Sequence, residues 1–233
     1  MQSMRKRSVD AEAEILRDFQ ARMAAHYGPT HWWPGDSAFE IALGAILTQN
    51  TAWTNVEKAI ANLKAARLMS PMAILDAEDA ALEAALRPSG YFRQKAKRVR
   101  LFCQHLVDHY EGDIAQMAIR PLNQLRHELL SLHGIGPETA DDILLYACGL
   151  PSFVVDTYTR RIFSRHGIVP PGIGYEHLRA FFEDRLERDV ASWKEYHGLI
   201  VWTAKDFCRT RPRCEGCPLQ GTLKRGQPLH VEE

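Results

Sequence analysis

Residues Ser131 to Arg161 read SLHGIGPETADDILLYACGLPSFVVDTYTRR. A helix ending near Leu132 is interrupted by His133-Gly134-Ile135-Gly136-Pro137, and a strongly apolar second helix begins at once. Glycine tolerates backbone angles that a Cβ-bearing residue avoids, so Gly134 and Gly136 permit a sharp reversal between the helices. Pro137 has no amide proton to lose and suits the first turn of the second helix. A helix started in this way presents free backbone N–H groups to an anion, and a nucleic-acid phosphate is the obvious candidate. Taken alone, a Gly-x-Gly turn is equally compatible with a plain connection between helices.

The segment beyond the second helix narrows the choice. Val154-Val155-Asp156-Thr157-Tyr158 sets one carboxylate in a short stretch there. Turn and aspartate together resemble the hairpin and catalytic aspartate of the helix-hairpin-helix DNA glycosylases, and the resemblance covers about Trp32 to Cys217. It implies an all-α fold of two helical lobes, a bundle over residues 38–150 and a second lobe from both chain ends, 1–37 plus 151–233. A DNA-binding cleft would lie between them, with Glu138 and Asp156 at its mouth. The resemblance also implies that Gly134, Ile135, Gly136 and Thr139 lie against DNA, and that Gln49 fills the gap left by a flipped nucleotide. The carbonyls of Leu130, Leu132 and Ile135 would hold a monovalent cation when DNA is bound.

At 233 residues the chain is long enough for one large or two small domains with a proper core. Its 45% hydrophobic and 25% charged residues are ordinary for a soluble globular protein. There is no apolar run of membrane-spanning length, and the polar, basic first ten residues are not an export signal, so a cytoplasmic, nucleoid-associated monomer without a membrane partner is expected. Net charge is zero, with 29 basic and 29 acidic residues. DNA binding therefore needs a local basic face, and Arg93, Lys95, Lys97, Arg98 and Arg100 supply a candidate strip. A solvated helix face explains the same residues equally well.

Along the chain, Val9, Ala13, Leu16, Phe19 and Met23 recur at helical spacing and stop before Gly28-Pro29. His31-Trp32-Trp33-Pro34-Gly35 is a turn-rich segment carrying two large aromatics. Ser37 and Glu40 have capping-box spacing ahead of an apolar helix from Ala38 to Leu47. Thr48-Gln49-Asn50-Thr51 joins it to a helix over Trp53–Arg67, with Asn50 and Thr51 expected as caps. A basic helix runs to Tyr110, and amphipathic helices are expected at Tyr158–His166, Tyr175–Leu186 and Val190–Phe207. No stretch alternates with period two, so no sheet is expected. The tail from Gln220 to Glu233 reads as loose.

Asp156 suits chemistry at a glycosidic bond, because a carboxylate beside the sugar stabilises the positive charge that develops and can orient or deprotonate the attacking water. Its structural alternative is a helix N-cap for Thr157-Tyr158-Thr159. In the endonuclease III branch a lysine occupies the place of Glu138, 18 residues before the aspartate (156 − 138), and its amine attacks the sugar. A carboxylate forms no Schiff base, so the resemblance implies base removal without strand cutting. Glu138 would hold water or contact the purine, or simply place favourable charge at a helix N-terminus. Glu138, Trp32-Trp33-Pro34 and Leu-Thr-Gln-Asn-Thr are most similar to the 3-methyladenine DNA glycosylase branch. Trp32, Trp33 and Trp53 would then stack an electron-poor base, unless they are core residues. In that branch a lysine near Lys205 reaches the pocket; an ordinary surface lysine is the alternative.

Five cysteines in such a chain do not make a disulfide framework. Cys103 and Cys148 read as small buried residues. Cys208, Cys214 and Cys217 resemble the iron–sulfur loop of many family members, but Gly221, Thr222, Leu223 and Lys224 stand where the fourth cysteine belongs. A relic loop without a 4Fe-4S cluster or metal is expected, its Arg209, Arg211 and Arg213 touching phosphates; a three-cysteine cluster or one completed by His230 is the alternative. The expected function is a monofunctional glycosylase of base-excision repair that flips and hydrolytically removes alkylated purines (3-methyladenine or 7-methylguanine) from duplex DNA. Rival expectations are an endonuclease III-type enzyme for oxidised or mismatched bases, and a non-catalytic DNA-binding protein.

Overall fold

The computed structural model describes residues 2–223 and 226–230, so Lys224 lies outside the described residues. Every regular element among them is helical. The chain divides into two compact units, Trp33–Ser152 and Met1–Trp32 with Phe153–Glu233. The divisions thus fall at 32/33 and 152/153 rather than at 37/38 and 150/151, and Trp33 goes with the bundle.

The terminal unit opens with α1 (Gln2–Tyr27), which buries Leu16, Phe19 and Met23 on one face. The bundle then runs through α2 (Ala38–Leu47), α3 (Trp53–Ala65), α4 (Pro71–Asp76), α5 (Asp79–Leu86), α6 (Phe92–Tyr110), α7 (Ile114–Ala118), α8 (Leu122–Ser131) and α9 (Pro137–Asp142). Its centre is α2, whose Ala42, Leu43, Ile46 and Leu47 have no exposed surface, as its apolar sequence requires. Ser37 accepts the Glu40 amide proton at 3.2 Å, but the Glu40 carboxylate pairs with Lys64 at 2.8 Å instead of completing the box. Neither Asn50 nor Thr51 caps α3; Ala52 stands at that position without a side-chain bond. Asn50 takes a positive φ of 54°, which asparagine tolerates better than most residues, and so turns the chain.

The basic strip on α6 is largely internal. Lys95 is only 1% exposed and donates to the carbonyls of Leu47 at 2.8 Å and Ser89 at 2.5 Å. Arg100 donates to Ile74 and Leu75 carbonyls, both at 2.8 Å, and to Ala77. These cations satisfy carbonyls at the ends of short helices, which lack helical partners and carry partial negative charge. Only Arg93 and Lys97 of the five are exposed. The strip is therefore chiefly a structural clasp.

The hairpin lies between α8 and α9. Gly134 has φ +89°, and a Cβ there would come within 2.3 Å of Arg98 Nε, so both backbone angle and space exclude other residues. Gly136 differs from expectation: its φ of −91° suits any residue, and a Cβ would meet nothing within 4 Å. Its bareness leaves the turn open rather than making the turn. Beyond Asp142 the helix widens over Ile143–Ala147, and the Cys148 amide bonds five residues back to Ile143 at 3.0 Å. Buried Asp141 ties the hairpin together, accepting from Arg126 Nε at 2.8 Å and Nη2 at 3.0 Å, and from the Ser152 hydroxyl at 2.5 Å.

The chain returns to the terminal unit with α10 (Thr157–Arg165), α11 (Tyr175–Glu183) and α12 (Val190–Asp206). Both α1 and α10 pack on α12, and the Tyr196 hydroxyl donates to the Leu16 carbonyl at 2.7 Å. The described part of the tail is anchored rather than loose: Leu229 donates its amide to Arg165 at 2.9 Å, and the Thr222 hydroxyl lies 2.9 Å from His166 Nδ1.

Candidate active site

Asp156 begins α10 as its N-cap. Its Oδ1 accepts the Thr159 amide at 2.7 Å and the Thr159 hydroxyl at 2.8 Å, and the Asp156 amide donates back to that hydroxyl at 3.4 Å. The other oxygen, Oδ2, lies 3.6 Å from His197 Nε2 on α12. Cap and candidate catalyst are thus one residue, with one oxygen given to each task. Burial by itself pushes the carboxyl pKa up, but the bond and charge of His197 and the two bonds from Thr159 outweigh it and hold Asp156 below the usual carboxylate range.

Trp32 and Lys205 belong to the same unit and meet each other. The Lys205 ammonium stands 5.6 Å over the Trp32 ring, a cation–π distance, while the residue itself is exposed. Trp32 also lies edge-on to His197 at 6.3 Å. The backbone comes so close here that a Cβ on Gly198 would lie 2.5 Å from Trp32 Cβ. Thr30 fastens the loop, donating its amide and hydroxyl to the two carboxylate oxygens of Glu195 at 2.7 and 2.8 Å. His197 was not among the expected residues. The signal for it lay in the periodicity of α12, where His197, Val201 and Lys205 recur every four residues along an otherwise apolar segment.

The bundle carries the other expected residues. Gln49 Nε2 donates to the Gly134 carbonyl at 3.1 Å and the Thr139 hydroxyl at 2.9 Å, and its Oε1 accepts from Arg98. Thr139 and Ile135 are both 5% exposed, and the Ile135 amide is bonded to Leu132 at 3.0 Å. Their side chains therefore support the turn from inside, and Gly134 and Gly136 form its outer surface. Glu138 is exposed in the first turn of α9. Trp33 stacks on Tyr146 at 4.8 Å and meets Trp53 edge-on at 5.3 Å. Tyr146 sits in the widened turn after α9, a distortion common at functional positions. Trp33 and Trp53 wall a groove of about 280 Å³ rimmed by Asp36, Glu40 and Glu57, with Lys64 the basic residue among its lining.

Cys208, Cys214 and Cys217 gather around Arg165, whose guanidinium donates to Cys208 Sγ at 3.4 Å and to the Thr210 carbonyl at 2.9 Å. Burial is the main cause pushing the thiols of Cys214 and Cys217 up in pKa. The cavity they line holds about 20 Å³, roughly the room of one water molecule. Leu219 and Leu223 line it as well, and the Thr222 hydroxyl is taken up with His166 and the Leu219 carbonyl. Three thiols and this space do not fit a four-iron cluster. Among the described residues no three His, Cys, Asp or Glu side chains are placed to hold a metal ion. His230 and the arginines 209, 211 and 213 are exposed.

An all-helical chain whose glycine hairpin leads to a buried, capped aspartate is a helix-hairpin-helix protein. It belongs to the HhH-GPD superfamily of base excision DNA repair proteins, whose model matches residues 43–188. It is 44% identical over 209 residues to a Methanocaldococcus jannaschii protein named "Putative DNA repair glycosylase MJ1434", covering 89% of this chain and 94% of the relative. Endonuclease III of Thermotoga maritima is 30% identical over 208 residues, 89% of each chain. Among solved structures, the H. pylori 3-methyladenine DNA glycosylase bound to 1,N6-ethenoadenine is 31% identical with a TM-score of 0.70, covering 83% of this chain and 97% of that one.

Proposed function

We propose that this protein is a monofunctional DNA glycosylase that removes alkylated purines from duplex DNA. The observation that carries the reading is Asp156, a buried carboxylate held as an anion at the start of α10. An alkylated purine is cationic, so its glycosidic bond breaks with the electron pair returning to the base, which departs neutral. The sugar is left positively charged. Asp156 stabilises that charge and accepts a proton from the water whose oxygen bonds to the sugar carbon. The aromatic faces of Trp32, Trp33 and Trp53 suit an electron-poor ring, and the acidic rim near Trp33 and Trp53 favours positive charge. Similarity to the H. pylori glycosylase supports the substrate class. Glu138 supports removal without strand cutting, because no lysine stands there to attack the sugar. The three-cysteine loop is read as structural, with no cluster taking part.

A second reading, an endonuclease III-type enzyme for oxidised or mismatched bases, is favoured by the Thermotoga relative. One experiment separates them: incubate dimethylsulfate-treated duplex DNA with wild type and Asp156→Asn, and analyse released bases and strand breaks before and after alkali. Methylated purine release that is lost in the variant, with breaks only after alkali, is expected. Breaks without alkali would overturn the monofunctional reading, and no methylated base would overturn the substrate.

A further inference from the structure

The aspartate's second oxygen has a partner that is itself immobilised. Oδ1 is committed to the start of α10, so Oδ2 is the atom left to act, and His197 Nε2 stands 3.6 Å from it. That separation is within ion-pair reach, and contacts of this kind tighten when a substrate arrives. The His197 side chain is 5% exposed. Trp32 lies edge-on to it, and the next residue, Gly198, is pressed against Trp32 by a loop that Thr30 bolts to Glu195. A ring so confined cannot swing away to solvent. A neutral core histidine would have no need of a carboxylate facing it, whereas a buried carboxylate needs a partner to remain charged.

We propose that His197 is a positioning residue for the candidate catalytic aspartate: it fixes the direction of Oδ2 and supplies the positive charge that keeps the carboxylate anionic inside the protein. The proposal rests on the reading of Asp156 as the group that acts at the sugar. The groups bearing on Asp156 are His197 from α12 and Thr159 from α10 itself. Around His197, Trp32 adds no charge, and Lys205, two turns along α12, stands over the Trp32 ring as a further cation.

Burial raises the Asp156 pKa, and His197 with Thr159 more than offsets it. Removing His197 leaves Thr159 alone against burial, so the carboxyl pKa rises. Because Asp156 acts as the anion, activity lost on acidification should be lost at higher pH in the variant.

The test is single-turnover base release against pH for wild type, His197→Ala and His197→Gln, on dimethylsulfate-treated duplex or on another damaged duplex whose base the wild type removes. Loss of His197 should move the acid limb upward by about one unit or more, cutting the rate at pH 6 roughly tenfold relative to pH 8. His197→Gln keeps an N–H but no charge and should lie between wild type and His197→Ala. A purely structural role would lower the rate by one factor at every pH and leave the limb in place, and that result overturns the proposal. Thermal melting checks each variant's fold, and His197→Gln carries the test should His197→Ala not fold. Release of a base other than a methylated purine would overturn the substrate reading while the pH comparison still decides this one.

Discussion

The two units handle charge in opposite ways. In the terminal unit a carboxylate is buried, capped and opposed by a histidine, so the charge is made permanent and its direction fixed. In the bundle the cations of α6 are spent on backbone carbonyls, and the hairpin turn is left bare of side chains at Gly136. The difference separates chemistry from grip. A group that must carry charge at one atom is worth burying, whereas a surface that accepts many DNA backbones works through exposed amides.

The largest test of that division is Asp156→Asn. Asparagine still accepts the Thr159 amide proton, so α10 keeps its cap. Base release should fall by ~10³-fold or more while duplex affinity and melting hold. Equal loss of binding would show that the site grips as well as reacts.

A second test uses pH. Burial lowers His166, in the terminal unit, to about 4, while the unfolded chain titrates near 6.5. Below pH 6.5 the unfolded state takes up a proton that the native state refuses, so stability falls by about 3 kcal/mol between pH 6.5 and 4. Lys95, in the bundle, is lowered by burial and then by Arg98 to about 8, from 10.5. Between pH 8 and 10.5 the unfolded state holds the extra proton, so stability should instead rise, by up to about 3 kcal/mol. Denaturant midpoints of wild type, His166→Gln and Lys95→Met across these ranges separate the two; variants with unchanged slopes would remove the assignment.

Smaller effects should come from the two hairpin glycines. Gly134→Ala, at φ +89° and against Arg98, should destabilise the fold by about 1–3 kcal/mol. Gly136→Ala should leave melting within about 0.5 kcal/mol, its backbone and surroundings being permissive. Its duplex affinity should nonetheless fall several-fold. If Gly136→Ala binds as wild type does, the turn is not the gripping surface.

Much of the fold was legible because it is punctuated. Glycine, proline and capping residues marked the ends of α1, α2 and α9, and the Gly-x-Gly turn with Asp156 placed the candidate site. What stayed hidden depends on contacts distant in sequence. Lys95 and Arg100 look like a solvent face until the carbonyls of Leu47 and Ile74, 48 and 26 residues away, are brought to them. Gln49 reads as a free polar residue, yet its partners on the hairpin lie 85 and 90 residues on. His197 sits in an apolar run where a histidine carries no motif, and only its approach to Asp156 gives it meaning. Gly136 was identified for the right position and the wrong reason, since sequence does not distinguish a glycine needed for its angle from one needed for its emptiness.

The terminal unit is assembled from both sides of the bundle, Met1–Trp32 before it and Phe153–Glu233 after it. During synthesis, Leu16, Phe19 and Met23 of α1 emerge first, yet Tyr196 and the rest of α12 are made some 170 residues later (196 − 23 = 173). At ribosomal speeds of ~5–20 residues per second, that apolar face waits on the order of ten seconds or more, long enough for the bundle to fold beside it. The nascent chain thus carries an exposed sticky helix ahead of a finished bundle. Polar substitutions on that face should therefore change the yield of newly made protein through the waiting period as well as through the finished fold.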